Sequence, residues 1–210
     1  MAEWRNWQTH QTQNLAFFTE RVGSTPTSAT NSRYMVTQTP PPDLRYPIGK
    51  FTAPKSITAA DRKVWIRDIA ALPEQVRAEV GGLTLELLDT PYRPGGWTVR
   101  QVVHHLADSH VNSYVRYRLA LTEDAPTVKG YDEAKWAELP DARSAPVDLS
   151  LAILESIHKR WVALLNQMSD ADFDRVFVHS ERGPVSLGTN LALYSWHGKH
   201  HIGHIRLVTG

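Results

Sequence analysis

The chain has 210 residues, of which 41% are hydrophobic, and a formal net charge of +1 at pH 7. This length and composition predict one globular domain, and the near-zero charge argues against a nucleic-acid partner. There is no cysteine, which excludes disulfides, thiolate ligands and a cysteine nucleophile, so any metal must be bound by histidine or oxygen donors. No apolar run is long enough for a membrane helix, and the N-terminus lacks the apolar core of a secretory signal.

The N-terminal segment has the composition of a non-globular extension. Residues 1–34 are rich in Thr, Gln, Asn, Ser and Pro and show no helical or strand period. The Gly-Ser-Thr-Pro run at 23–26 can be encoded by the T-arm of a tRNA gene, so the segment resembles translation upstream of the true start, with Met35 as that start. We expect 1–34 to be non-native or disordered, 35–57 to be an extended lead-in, and 58–210 to form the folded domain.

Apolar residues at helical spacing predict four long helices in the folded domain. Thr58 and Thr98 are the predicted N-caps of the first two, and the Gly-Gly pair that begins at Gly81 ends the first. Pro73 lies within the first pattern, where we expect it to kink or break the helix. The predicted long helices span residues 59–80, 98–122, 149–168 and 188–208.

The connections between these helices differ greatly in length. Residues 83–88 form a short helical turn, and residues 123–148 are mostly loop, with a short helix at 131–138. Residues 172–187 are loop-like, with a small hairpin around Arg182-Gly183-Pro184. Four amphipathic helices and no strong strand pattern predict an all-α four-helix bundle. The long second connection permits a topology other than simple up-down-up-down.

Histidines are the compositional oddity, with ten in the chain. His197 and His201 are four residues apart, so their side chains stack on one face of the last helix and can present two imidazoles to one ion. The residues between them do not include the Glu of the metalloprotease motif His-Glu-x-x-His. A third ligand is available in His105 on the second helix, in a polar line that continues through Ser109 and Asn112. Three neutral imidazoles plus water form the open arrangement of catalytic zinc.

Spacing alone leaves alternatives open. Histidines at i and i+4 also arise by chance, and His200 with His204 satisfies the same spacing. His104 lies about 100° from His105 around the helix and fits a surface residue or an outer-sphere partner better than a ligand. The remaining histidines, His158 among them, fit a structural role.

Four runs of sequence closely resemble YfiT-type metal-dependent hydrolases of the DinB/YfiT superfamily. The resemblance covers about residues 43 to 210, and the run at 95–110 is its most specific part. The runs are Tyr-Pro-Ile-Gly at 46–49, Asp-Thr-Pro-Tyr-Arg at 89–93, Gly-Gly-Trp-Thr-Val-Arg-Gln-Val-Val-His-His-Leu-Ala-Asp-Ser-His at 95–110, and Trp-His-Gly-Lys-His-His-Ile at 196–202.

The resemblance implies a DinB-like four-helix bundle with up-down-down-up topology, in a cytoplasmic homodimer. It also implies one divalent ion per subunit, zinc or nickel, bound by the histidine of a His-Leu pair and by a His-x-x-x-His motif. In this chain those residues are His105, His197 and His201. His204 stands where many superfamily members have Gln, which makes it a candidate outer-sphere partner or alternative ligand.

The leading functional hypothesis is hydrolysis of a small-molecule substrate by a water that the ion activates. Asp108, one turn from His105, is a candidate carboxylate for orienting an imidazole, and a solvated surface role is its alternative. A second hypothesis is thiol S-transfer of the bacillithiol or mycothiol type, for which Arg100, Arg116 and Arg118 are candidate anion contacts. A third is a non-enzymatic metal-binding stress-response module, against which an open coordination position would argue.

Overall fold

The computed structural model describes residues 43–210. The predictions for residues 1–34, for a start at Met35 and for the first part of the 35–57 lead-in therefore lie wholly or partly outside the described residues. The elements are α1 (Ala59–Val80), α2 (Leu85–Leu88), α3 (Val99–Thr122), β1 (Thr127–Val128), α4 (Glu133–Ala137), α5 (Pro140–Ser144), α6 (Val147–Leu165), α7 (Asp170–Asp174), β2 (Val176–His179), β3 (Gly183–Ser186) and α8 (Leu187–Thr209).

The four long helices are α1, α3, α6 and α8, close to the predicted ranges. Both predicted caps are confirmed. The Thr58 hydroxyl accepts from the backbone of Asp61, whose carboxylate accepts in return from the Thr58 backbone, and Thr98 forms the same reciprocal pair with Gln101. The α1 helix continues through Pro73 to Val80, so Pro73 does not break it.

The bundle is up-down-down-up, as predicted. Cross-helix hydrogen bonds show the directions. Parallel helices keep a constant or nearly constant difference between the numbers of the bonded residues, and antiparallel helices keep a constant sum. On this criterion α1 is parallel to α8, α3 is parallel to α6, and α3 is antiparallel to α8. The bonded pairs are Asp68–Ser195 and Glu79–Arg206, His104–Ser150 and His110–His158, and Ser109–Tyr194 and Ser113–Asn190, respectively.

A small sheet accompanies the connections. The predicted hairpin around Arg182 is confirmed as the antiparallel pair β2–β3, and Gly183, the first residue of β3, has φ 73°. Glycine adopts that conformation without the steric cost that a Cβ would bring. The long connection between α3 and α6 adds β1 as a parallel neighbour of β2, which the sequence pattern did not predict. The sheet therefore ties this connection to the segment that leads into α8.

The core lies between the four helices and contains large side chains that are fully buried, such as Trp161, Tyr117 and Leu106. The close approach of α8 to α1 depends on Gly198, where an added Cβ would lie 2.7 Å from a methyl carbon of Leu72. Within residues 43–210, every helix is too short or too polar to cross a membrane.

Candidate metal centre

Three buried histidines meet between α3 and α8. His197 and His201 lie one turn apart on α8, and their ring centroids are 4.5 Å apart. His105 faces them from the first half of α3, and one donor atom from each of the three residues lies within 4.8 Å of the others. Each residue is at most 4% exposed. Spacing along α8 and the antiparallel approach of α3 therefore bring together the three residues that the sequence singled out.

The donor set fits a divalent ion. The Nε2 atoms of His105 and His197 are 3.3 Å apart. Two nitrogens at about 2.0–2.1 Å from a tetrahedral ion are separated by roughly 3.3–3.4 Å. The Nε2 atom of His201 is buried and has no hydrogen-bond partner. A buried polar atom without a partner is costly, and a metal ion would provide one.

Burial keeps these imidazoles neutral. It lowers the pKa of His105 to about 3, and it lowers the pKa values of His197 and His201 well below the usual value for histidine. Neighbouring histidines reinforce each shift, because positive charges close together repel. At neutral pH each ring therefore keeps one nitrogen without a proton, which is the form of imidazole that binds a metal.

Further imidazoles contact the outer nitrogens of the α8 pair. His204 Nδ1 lies 3.3 Å from His201 Nδ1, and its Nε2 lies 3.2 Å from the backbone carbonyl oxygen of Arg45. The ring of His204 also stacks on Tyr92 at a centroid distance of 4.0 Å. His204 therefore contacts His201 directly, and its role as an outer-sphere partner or an alternative ligand stays a prediction.

His197 has a longer set of neighbours. Its Nδ1 lies 3.2 Å from His110 Nε2, and His110 Nδ1 lies 2.9 Å from His158 Nε2. His158 Nδ1 lies 2.6 Å from the carbonyl oxygen of Ile69 on α1. His158 was predicted to be structural and is packed in the core, but its contact with His110 was not predicted. The only available signal was that both residues lie on apolar helix faces.

The other histidines and Asp108 take different roles. His104 is buried and bridges α3 to the next helices through Ser150 Oγ at 2.7 Å and the Ala145 carbonyl at 3.1 Å. Asp108 is half-buried, and its carboxylate forms no hydrogen bond with the three clustered histidines. Burial, followed by the charge of Asp141, raises the pKa of Asp108 to about 6. Its suggested orienting role thus stays a prediction.

A polar pocket opens beside the cluster. His197 and Ser109 line one part of it, and Arg116, Tyr131 and Arg182 line another. Only 7% of Arg116 is exposed. Within residues 43–210 the guanidinium of Arg116 makes no hydrogen bond or salt bridge, whereas a buried cation ordinarily has a partner.

The other two candidate arginines are bound elsewhere. Arg100 is also buried, and it forms a salt bridge to Asp89 at 2.7 Å and a hydrogen bond to the Ala145 carbonyl. Arg118 is exposed and lies over the ring of Tyr114. Of the three arginines considered from the sequence, Arg116 therefore has the environment of an anion contact.

An up-down-down-up helical bundle with three buried histidines between its second and last long helices defines a class of candidate metal-dependent proteins. Comparison with known proteins identifies the family. The model of the DinB superfamily matches residues 59–205, and the chain belongs to this superfamily.

The chain is similar to its relatives over nearly the whole length of those proteins. Proteins of Bacillus cereus (strain 03BB102) and Bacillus thuringiensis subsp. konkukian (strain 97-27) are each 54% identical over 163 residues, which is 78% of this chain and 94% of those proteins. Both carry the name "Putative metal-dependent hydrolase". The structure is similar to YfiT from Bacillus subtilis, described as a probable metal-dependent hydrolase with an unusual four-helix bundle topology. The TM-score is 0.77 at 46% identity, over 79% of this chain and 95% of YfiT.

Proposed function

We propose that this protein is a hydrolase of small molecules that depends on one divalent ion bound by His105, His197 and His201. The observation that carries the proposal is the convergence of three buried, neutral imidazoles, with the Nε2 atom of His201 unpartnered. The names of the relatives and of YfiT support the same activity. A divalent ion in such a site supplies a water of lowered pKa and polarises the bond to be cleaved.

Three protein donors favour a catalytic site over a purely structural one. Structural zinc sites are usually closed by four protein ligands, whereas catalytic sites keep a position for water or substrate. Within residues 43–210, His105, His197 and His201 form a group of three with no fourth His, Asp or Glu donor. This argues against the non-enzymatic metal-binding module.

Arg116 is the group in the pocket that suits an anionic group on the substrate, and Glu133 and Glu181 line the same pocket. Arg116 follows His105 by eleven residues on α3, or roughly 16 Å along the helix axis, and long side chains lean back toward the helix start. The guanidinium of Arg116 therefore lies at some distance from the three histidines but in the pocket that His197 lines. A carboxylate or phosphate on the substrate would give Arg116 the charged partner that it lacks.

Thiol S-transfer is the second candidate, and the same observation favours it. Low-molecular-weight thiols such as bacillithiol carry carboxylates that Arg116 could bind, while the ion would bind the thiolate instead of water. The two reactions differ in the nucleophile. Turnover of an electrophile only after a thiol is added would establish transfer, and turnover in water alone would establish hydrolysis.

The test of the site begins with metal content. The chain is purified without added chelator, and bound zinc and nickel are measured by elemental analysis. We expect about one ion per subunit, and the double variant His105→Ala with His197→Ala should lose it. The matched control His104→Ala removes a buried histidine from the same helix and should keep the metal. Unchanged metal content in the double variant would disprove the site.

The choice of zinc or nickel, a homodimer and a cytoplasmic location belong to the same proposal. Imidazole donors suit both metals. Light scattering on the eluting protein tests the dimer, since a mass near twice 23.7 kDa is expected. Esters, amides and halogenated electrophiles, each with and without a carboxylate, form the first substrate panel.

A further inference from the structure

The carbonyl of Ile69 is free to accept a side-chain donor because of Pro73. In a regular α-helix the carbonyl of residue 69 accepts the backbone N–H of residue 73, four positions later. Proline has no N–H, so Pro73 inside α1 leaves the Ile69 carbonyl without its helical donor. His158 takes that place from α6, with its Nδ1 at 2.6 Å.

A carbonyl oxygen can only accept a hydrogen bond, and this decides the tautomers of the imidazoles that follow. His158 must carry its proton on Nδ1, so in its neutral form its Nε2 is an acceptor. His110 must then donate from Nδ1 to His158, and its Nε2 accepts from His197 Nδ1. The lone pair of His197 is therefore left on Nε2, the atom 3.3 Å from His105.

Each ring must be neutral for these assignments, and the surroundings of the rings favour this. His110 and His158 are 0% and 1% exposed, and their ring nitrogens bond to imidazole nitrogens and to a backbone carbonyl rather than to a carboxylate. The stacked rings of these two residues have centroids 4.9 Å apart inside the core, where a charged pair would be strongly disfavoured.

The hydrogen bonds from His197 through His110 and His158 to the Ile69 carbonyl form one series. A shorter series runs from His201 through His204 to the Arg45 carbonyl and has the same effect on His201. The Arg45 carbonyl can only accept, so His204 donates to it from Nε2 and presents Nδ1 as an acceptor. His201 then donates from Nδ1, at 3.3 Å, and its lone pair is on Nε2, the buried atom that lacks a partner. Two independent series thus end on backbone carbonyls and give the same result.

We propose that three histidines are positioning residues that direct the Nε2 lone pairs of His197 and His201 at one point. His158 and His110 hold His197 in the Nδ1–H tautomer, and His204 holds His201 in the same tautomer. The proposal rests on the proposed function only in naming a metal ion as the acceptor of those lone pairs. Its structural origin is the pair of backbone carbonyls, one of which is freed by Pro73.

The series orients protons and does not conduct them away. A path for protons needs an acceptor that can pass the proton on, and a peptide carbonyl is not one. Because the longer series ends at the Ile69 carbonyl, a proton on His158 has no onward acceptor in the hydrogen bonds that define it. The arrangement therefore fixes tautomers, which is how outer-sphere partners raise metal affinity.

The direct test is nuclear magnetic resonance of the full chain, ¹⁵N-labelled at histidine and kept metal-free with a chelator. Long-range ¹H–¹⁵N spectra distinguish Nδ1–H from Nε2–H rings, and His197→Gln and His201→Gln identify the signals of those residues. We expect His110, His158, His197 and His201 to be Nδ1–H tautomers, and His204 to be Nε2–H. An Nε2–H tautomer at His197 and His201 in the metal-free protein would overturn the proposal.

A variant then tests the consequence for binding. His158→Phe removes the acceptor for His110, so we expect a mixture of tautomers at His197 and a Zn²⁺ affinity about 10–100-fold lower by chelator competition. His104→Phe is the control, because it removes another buried histidine, one that belongs to neither series. The tautomers of His197 and His201 and the Zn²⁺ affinity should be unchanged in this variant. Unchanged Zn²⁺ affinity in a folded His158→Phe protein would also overturn the proposal.

The spectra of the unsubstituted protein decide the matter if His158→Phe does not fold. They also separate this proposal from the proposed function. If the expected tautomers are found but Zn²⁺ and Ni²⁺ do not bind, the proposed function fails and the positioning series stands. If metal binds to a protein in which His197 and His201 are Nε2–H tautomers, the positioning proposal fails and the proposed function stands.

Discussion

Acid should destabilise this fold through its buried histidines, and His158 allows the effect to be calculated. Burial lowers its pKa from 6.5 to about 4, so the unfolded chain takes up a proton at a higher pH than the folded protein does. Stability is therefore fully present above pH 6.5 and is lost as the pH falls toward 4. The full shift corresponds to about 3 kcal/mol. Linkage for this single group gives a loss of about 2 kcal/mol between pH 7 and pH 5.

The assay is urea denaturation of the metal-free protein at pH 7 and pH 5. The wild type should lose more than about 2 kcal/mol between these values, because other buried histidines add to the loss. His158→Gln keeps a neutral amide in the core and removes one titrating group, so its loss should be smaller by about 2 kcal/mol. His110, the titratable group that bonds to His158, remains in both proteins. Equal pH dependence of the two proteins would refute the reasoning.

Three further outcomes are expected. Gly198→Ala should lower the free energy of unfolding by about 1–3 kcal/mol in chemical denaturation, because the new Cβ would lie 2.7 Å from a methyl carbon of the buried Leu72; unchanged stability would mean that the Leu72 side chain repacks without cost. Tyr117→Phe should cost about 1 kcal/mol in the same assay, because the buried hydroxyl donates to the Leu187 carbonyl at 2.6 Å. Arg116→Gln should raise KM for a carboxylate-bearing substrate roughly 10–100-fold and leave KM for its neutral analogue unchanged, and a similar rise for both would exclude an anion contact.

Much of the fold follows from local sequence signals. Thr58 and Thr98 mark two helix starts because each can satisfy backbone N–H groups that the first turn leaves unpaired. The i, i+4 spacing of His197 and His201 was enough to place both side chains on one face of α8. Local signals do not fix how the helices meet, and spacing alone left the choice between His104 and His105 open. The resemblance to a known family favoured His105, and in the structure His104 faces α6 instead.

Local sequence signals could not predict the residues that surround the three clustered histidines. His110 and His158 lie on different helices, and their contact depends on α3 and α6 running parallel with the right offset. The pairing of β1 with β2 similarly joins segments that are separated by four helices, α4 to α7, and a two-residue strand is too short to predict it. Of the two expectations for Pro73, a kink or a break, the break is wrong. The packing of α1 against its neighbours, including Val76 in the core, opposes the local tendency of proline to end a helix.

The cost of a proline inside a helix bears on why the bundle has this arrangement. An interior proline removes one helical hydrogen bond and costs about 3 kcal/mol or more. In α1 the Ile69 carbonyl, which lacks its helical donor, accepts a hydrogen bond from His158, so this buried acceptor is satisfied. A residue that weakens one helix thereby provides the fixed acceptor from which the proton positions of His158, His110 and His197 follow. If Pro73 were replaced by a residue with an N–H, two donors would share the Ile69 carbonyl, and the bond that fixes His158 would weaken.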